Sequence, residues 1–261
     1  GNDNSSFFGT IIATGDLKID GPLDDIVMNI NATTMPNTTL DVRLTSTSSI
    51  NDNFIVFINE NVETDTVTSV VRETKKQKKF TLNLSADVTP EAKVNIHLPS
   101  NMGNITANGS GNIRLGLALG QLSLYGDYVI DDGEFNFNLQ NLVRRTFDIK
   151  QGGTISWTGR AADADLNVVG SYRTKSSISS LGLEMDSTSL VNNVNVDCIL
   201  RLNEKLTTPT ITFGLALPNA TDDIKNTVFS IIDTTNQAVM SQQIISLLVL
   251  GSFSYSNSSL Y

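Results

Sequence analysis

The chain has 261 residues, 39% of them hydrophobic and 17% charged, with a net charge of −9 and a single cysteine. That hydrophobic share sustains the core of one or two domains and excludes a charge-rich disordered chain. The acidic balance excludes sequence-independent nucleic-acid binding, which needs a basic field, and one cysteine excludes an internal disulfide.

From Phe8 onward apolar residues recur at every second position: Leu17 and Ile19, then Ile26, Met28 and Ile30, then Leu40, Val42 and Leu44. This is strand periodicity with one greasy face, and Asp20-Gly21-Pro22 and Met35-Pro36-Asn37 mark turns between the runs. Segment Asn51 to Lys79 interrupts the pattern. Within it Phe54 to Ile58 reads as a strand, and Lys75-Lys76-Gln77-Lys78-Lys79 as lysines guarding the strand that begins at Phe80, or as a contact for anionic headgroups. Alternation resumes with Phe80, Leu82 and Leu84, then Val94, Ile96 and Leu98, then Ile113, Leu115, Leu117 and Leu119, then Leu122 and Leu124. Turns are predicted at Ser100 to Gly103 and at Asn108 to Gly111.

From Gly126 to Thr174 the device is densest: Phe135, Phe137 and Leu139, then Phe147 and Ile149, then Ile155 and Trp157, then Leu166 and Val168. Turn signals stand at Asp131-Asp132-Gly133, at Gln151-Gly152-Gly153 and over the Gly159 to Asp165 bend. Val194 to Leu202 alternates again, with Cys198 on the apolar side as a small buried hydrophobe, and Ile211, Phe213 and Leu215 form the last strand. After Pro218 the period becomes helical. Thr221 or Asp222 caps a first helix carrying Ile224, Val228, Ile231 and Ile232 on one side, and a second runs from Gln237 to Leu250, with Met240, Ile244, Ile245, Leu248 and Val249 together, stopping at Gly251.

One-sided alternation over 12 to 15 strands predicts a mainly all-β chain: an elongated curled sheet with an apolar inner groove, β-taco-like, and one or two short C-terminal helices. At roughly 4.8 Å per strand the stack would extend about 60 to 70 Å. A sandwich with a filled core is the competing solution, because a greasy face must be covered by something. Three portions follow: residues 1–125 as the first part of the groove, 126–218 as the densest β-segment, and 219–261 as a helical segment and tail.

Chemistry-bearing patterns are sparse. The single histidine, His97, falls on the polar side of its strand, and no nucleophile-elbow sequence accompanies it. The carboxylate pairs Asp24-Asp25, Asp131-Asp132 and Asp222-Asp223 sit at expected turns or a helix start, and Gly109-Ser110-Gly111 lacks the lysine and helix of a phosphate loop. No enzyme activity, metal or cofactor is expected. No run of about eighteen apolar residues suggests a membrane span.

The ordered pattern Tyr128-x-Ile130-x-x-Gly133-x-Phe135-x-Phe137, then Phe147-x-Ile149-x-x-Gly152-Gly153-x-Ile155-x-Trp157-x-Gly159, then Ala164-x-Leu166-x-Val168-x-x-x-Tyr172-x-Thr174 resembles the TamB C-terminal domain family of Gram-negative bacteria. Downstream, Pro209-x-Ile211-x-Phe213-x-Leu215-x-Leu217-Pro218, Gln242-Gln243 and Leu247-Leu248-Val249-Leu250-Gly251 continue it. The match runs from about Gly126 to Phe253. The resemblance implies a periplasmic protein anchored in the inner membrane by a helix upstream of this chain, bridging to an outer-membrane barrel of the BamA superfamily, TamA-like. It implies a role in moving phospholipids to the outer membrane and in outer-membrane protein assembly. The family pattern continues past the Leu247 to Gly251 segment, so the last portion is expected to be truncated.

Residues expected to line a groove for acyl chains are Phe135, Phe137, Leu139, Phe147, Ile149, Ile155, Trp157, Leu166, Val168, Ile211, Phe213 and Leu215. Two other classes of function compete with the lipid conduit: a chaperone-like module that binds outer-membrane strands by β-augmentation, and a structural or adhesive sandwich.

Overall fold

A computed structural model of the chain describes residues 7–43, 79–139, 143–160, 163–182 and 193–255. The strand expected at Phe54 to Ile58 and the basic cluster, apart from Lys79, lie outside the described residues.

Thirteen strands join in one sheet, yet the longest path across it crosses only nine. The reason is that four rungs hold two strands placed end to end: β1 (Phe7–Thr10) with β2 (Ala13–Asp20), β3 (Asp25–Thr34) with β4 (Thr39–Arg43), β5 (Lys79–Val88) with β6 (Lys93–His97), and β9 (Val143–Ile149) with β10 (Thr154–Gly159). Single strands fill the others: β7 (Gly103–Ala118), β8 (Gln121–Leu139), β11 (Asp165–Ser177), β12 (Asn193–Lys205) and β13 (Thr210–Ala216). Pairing is antiparallel except between the second and third rungs, where β3 runs parallel to β5 and β4 to β6. Eight steps of about 4.8 Å span about 38 Å, so the sheet is shorter than a stack of single strands would be. Breaks such as Met35-Pro36-Asn37 interrupt a rung without reversing it.

The spine is the long hairpin of β7 and β8. The turns expected at Asn108 to Gly111 and at Asp131 to Gly133 are not turns: both strands run straight through. Asn108 pairs with Asp132 but Gly109 with Ile130, so Asp131 is an extra residue, a β-bulge. The bulge has a purpose that the side-chain pattern makes plain. Before it, even-numbered residues of β8 face the core (Leu122, Tyr128, Ile130); after it, odd-numbered ones do (Phe135, Phe137). A strand without the extra residue would turn its second half inside out. The nearby glycines serve close approach: a Cβ on Gly109 or Gly111 would lie 2.2 or 2.1 Å from the carbonyl oxygen of Val129 or Asp127. Glycine and aspartate clusters that read as chain reversals are here devices inside a paired ladder. The actual reversal is at Leu119-Gly120, where Leu119 adopts a φ of 53° and points to solvent, off the apolar face.

The sheet curls. Phe137 on β8 and Phe213 on β13 are four rungs apart, about 19 Å along a flat sheet, yet their rings meet edge to face at 6.3 Å between centroids. Inside the curl lie the two helices. Thr221 caps α1 (Asp222–Ile231), accepting from Ile224 N–H, with Asp222 and Asp223 in the positive first turn. Asn236 caps α2 (Gln237–Leu250), accepting from the N–H of Ala238 and Val239, and Gly251 closes it in the left-handed conformation. Helix α2 lies against β13 and reaches β9, burying Met240, Ile244, Leu247 and Leu248. Ile231 and Val249, expected among the inward residues, face solvent instead.

Candidate functional site: the apolar face of the curled sheet

Cross-strand register carries the apolar alternation from rung to rung without a break. One ladder reads Leu17, Ile30, Leu84, Leu115, Leu124. Its neighbour reads Ile19, Met28, Leu82, Leu117, Leu122. At the other end of the hairpin a third reads Val42, Ile96, Ile105, Phe135, Phe147. These rows share one face because the bulge at Asp131 restores parity, so the face spans both ends of the sheet.

The two ends differ in what covers them. At the closed end, around β9, β11, β12, β13 and the helices, the expected lining residues Phe135, Phe137, Phe147, Ile149, Ile155, Leu166, Val168 and Phe213 are buried. Leu139, Trp157, Ile211 and Leu215 are partly buried against the same cluster. The structure thus brings all of them together, into a packed core shared with α1 and α2. Aromatic rings knit it: Phe137 meets Phe147 edge to face at 5.9 Å, and Phe147 meets Tyr172 at 5.9 Å. At the open end, formed by β2, β3, β5 and the Ala118 turn of the hairpin, no helix covers the face among the described residues. Leu17 and Ile19 are each 58% exposed, while Met28, Ile30, Leu82, Leu84, Leu115 and Leu124 are half-buried. Among the described residues the core there is a small cluster of Leu117 and Leu122, with Phe80, Leu82, Leu115 and Leu124 packed against it. Sequence reading placed these residues on strands but not in the candidate lining. Their alternation is the same as elsewhere, and exposure depends on a helix that packs over one end only.

The face is nearly uncharged. Arg145, in register with Phe137, is a cation on its inward side. The guanidinium lies 5.9 Å from the Tyr172 ring centre, its Nη1 donates to the Arg144 carbonyl at 3.0 Å, and its buried Nε has no hydrogen-bond partner. Burial, then the Asp131 carboxylate, holds the Tyr128 phenol well above its ordinary pKa. Burial likewise pushes the Cys198 thiol up to about 12, with Asp197 adding to it, so both groups are neutral fillers at physiological pH. His97 stands on the solvent side, its Nε2 3.8 Å from an Asp41 carboxylate oxygen. Among the described residues no cluster suits a metal ion, and no helix is long and apolar enough to cross a membrane.

The sheet's edges also differ. At the β13 edge the Gln237 side chain takes the place of a further strand: its Oε1 accepts from Phe213 N–H at 3.1 Å and its Nε2 donates to Phe213 O at 3.4 Å. At the opposite edge β2 is exposed along its whole length, and among the described residues only β3 pairs with it. Such an arrangement offers non-directional apolar contact along one face and backbone hydrogen bonding at one edge.

A protein-family model described as the TamB C-terminal domain matches residues 2–260, which extends the likeness well before Gly126. No curated protein matches the chain.

Proposed function

The chain belongs to the TamB C-terminal domain family, and from that membership we propose that its apolar face guides phospholipid acyl chains between the inner and outer membranes. The family has a general role in the periplasm, in outer-membrane protein assembly and lipid transport. What supports the finer reading is that the rows from Leu17 to Leu124 and from Ile19 to Leu122 share one face with the row from Val42 to Phe147, and that among the described residues no helix covers the first two. Each CH₂ taken from water onto such a face gains about 0.8 kcal/mol, and walls without directional groups let a chain slide. Lipid would meet the open end first; the closed end admits it only where α2 yields. In the full-length protein an inner-membrane anchor and an outer-membrane barrel partner would complete the bridge.

The test is native mass spectrometry of the purified chain with lipid extraction. Wild type should carry phospholipid, and a Leu84→Asp, Leu115→Asp variant should fold and lose it. A folded wild type without lipid overturns the reading. The bare β2 edge favours a second one, in which extended outer-membrane segments add to the sheet. A proline in β2, placed where the N–H points away from β3, should abolish peptide binding and leave lipid loading intact.

A further inference from the structure

We propose that two copies of this chain join edge to edge through β2, in antiparallel register about a two-fold axis at Leu17. The proposal rests on the sheet edge and not on the lipid reading. Among the described residues β2 pairs only with β3 and is exposed along its whole length, whereas Gln237 occupies the opposite edge at Phe213. Exposed large apolar side chains concentrate beside β2: Phe8, Ile11, Ile12, Leu17, Ile19 and Leu23 all lie along the edge rung or on the turn that leaves it. Such a concentration marks a protein-contact surface.

What fits this edge is another β2. A closed two-fold contact across a sheet edge pairs a strand with itself in antiparallel, and the side chains then choose the register. With Leu17 opposite Leu17 of the second copy, seven residues from Thr14 to Asp20 pair. Asp16 then meets Lys18 on both sides of the axis, Ile19 lies opposite Gly15, and Asp20 faces Thr14. Both apolar faces stay on one side, because directly opposed residues project the same way. Just past the paired residues the same register sets Ile11, 67% exposed, opposite Leu23, 89% exposed. The row from Leu17 to Leu124 of one copy meets its counterpart end to end, so two open apolar faces become one.

The other registers fail on charge or on length. An axis at Lys18 opposes Lys18 to Lys18 and Asp16 to Asp20, and an axis at Asp16 opposes the two Asp16 carboxylates. Axes at Gly15 or Thr14 match no opposite charges. An axis at Ile19 matches Lys18 with Asp20, but Gly21, at a φ of 97°, and Pro22 end the strand, so only three residues pair. A register shifted by one residue sends the second copy's apolar face to the other side. Charges that keep an edge strand solitary in other sheets here admit one pairing. Lys18 holds Asp20 of its own strand at 3.1 Å, so each ammonium of the dimer lies between that carboxylate and Asp16 of the second copy. The β3 residues opposite Asp16, Lys18 and Asp20 are Asn31, Asn29 and Val27, which add no charge. Each copy carries −9, and at physiological ionic strength that long-range repulsion is screened beyond about 8 Å. The seam is short, so the dimer is a weak one, in the micromolar range.

Sedimentation equilibrium of the 261-residue chain across the micromolar range tests it. Wild type should dimerise as concentration rises. Asp16→Lys or Lys18→Asp should each weaken the dimer by about ten-fold or more, by opposing like charges. An equimolar mixture of the two variants should restore it, because each altered strand complements the other and not itself. In dilute solution both variants should melt as wild type does, since β2 lies outside the packed core. Wild type that stays monomeric, a dimer unchanged by both substitutions, or a mixture that associates no better than either variant alone overturns the proposal.

Discussion

The closed and open ends of the sheet are built from the same alternating strands, and they differ because a helix covers one of them. At the closed end Phe147 is fully buried between Phe137 and Tyr172; at the open end Leu17 occupies the same kind of inward position and is 58% exposed. Alternation therefore produces a greasy face, whereas coverage decides whether that face is core or contact surface. The closed end supplies stability, the open end an unfilled apolar surface, and the hairpin with its bulge holds them in one sheet.

The largest expected effect comes from breaking the hairpin that joins the two. Deleting Asp131 removes the bulge and turns Glu134 and Asn136 toward the core in place of Phe135 and Phe137; the closed end should lose cooperative melting altogether. Next, Phe147→Ala should cost about 3–5 kcal/mol in denaturant unfolding, while Leu17→Ala at the open end should cost under about 1 kcal/mol. Equal costs would show that the open end is covered in solution. For the same reason Phe137→Asp is a test of folding before it is a test of lipid binding.

Smaller effects sharpen the contrast. Gln237→Ala exposes the β13 edge at Phe213 and should cost about 1 kcal/mol, with faster hydrogen exchange at the Phe213 amide. Cys198 should resist alkylation in the native state. Because its folded pKa lies above that of an exposed thiol, roughly 8.5, the stability linked to it is intact below that pH and lost as pH rises toward about 12. The smallest effect belongs to Arg173 and Asp197, a bidentate pair at 2.6 and 2.9 Å on the solvent side. The Arg173 hydrogen bonds hold the Asp197 carboxyl below its ordinary range. Because Arg173 is largely exposed and solvent screens the pair, Arg173→Ala should shift the melting temperature least of these variants; the pair's contribution is present above about pH 3.9 and fades as pH falls.

Much of the fold was legible in the residues. The strands at Leu17 to Ile30, Phe80 to Leu84 and Phe135 to Phe213 follow from period-two patterning, and Thr221 and Gly251 bound the helical segment as capping chemistry requires. The reading failed at Asn108 to Gly111 and Asp131 to Gly133, because glycine permits both a reversal and a bulge and only the partner strand distinguishes them. The expected lining residues came from the aromatic-rich stretch between Phe135 and Val168 and from Ile211, Phe213 and Leu215, and the structure buries or half-buries all of them. Density of aromatics marks the best packed region, which is where the helices settle, and so the more accessible apolar residues, Leu17, Ile19, Leu84 and Leu115, went unselected.

Sequence alone determined what is local: the alternation, the neutral burial of Cys198, the solvent side for His97, the switch of period after Pro218 and the family. Tertiary structure decided what depends on partners distant in the chain. Nine rungs instead of thirteen, the parity kept by Asp131, the curl that joins Phe137 to Phe213 and the helix that closes one end all rest on long-range register and packing. A side chain's direction is set by its own strand, but whether it meets protein, lipid or water is set by what lies opposite.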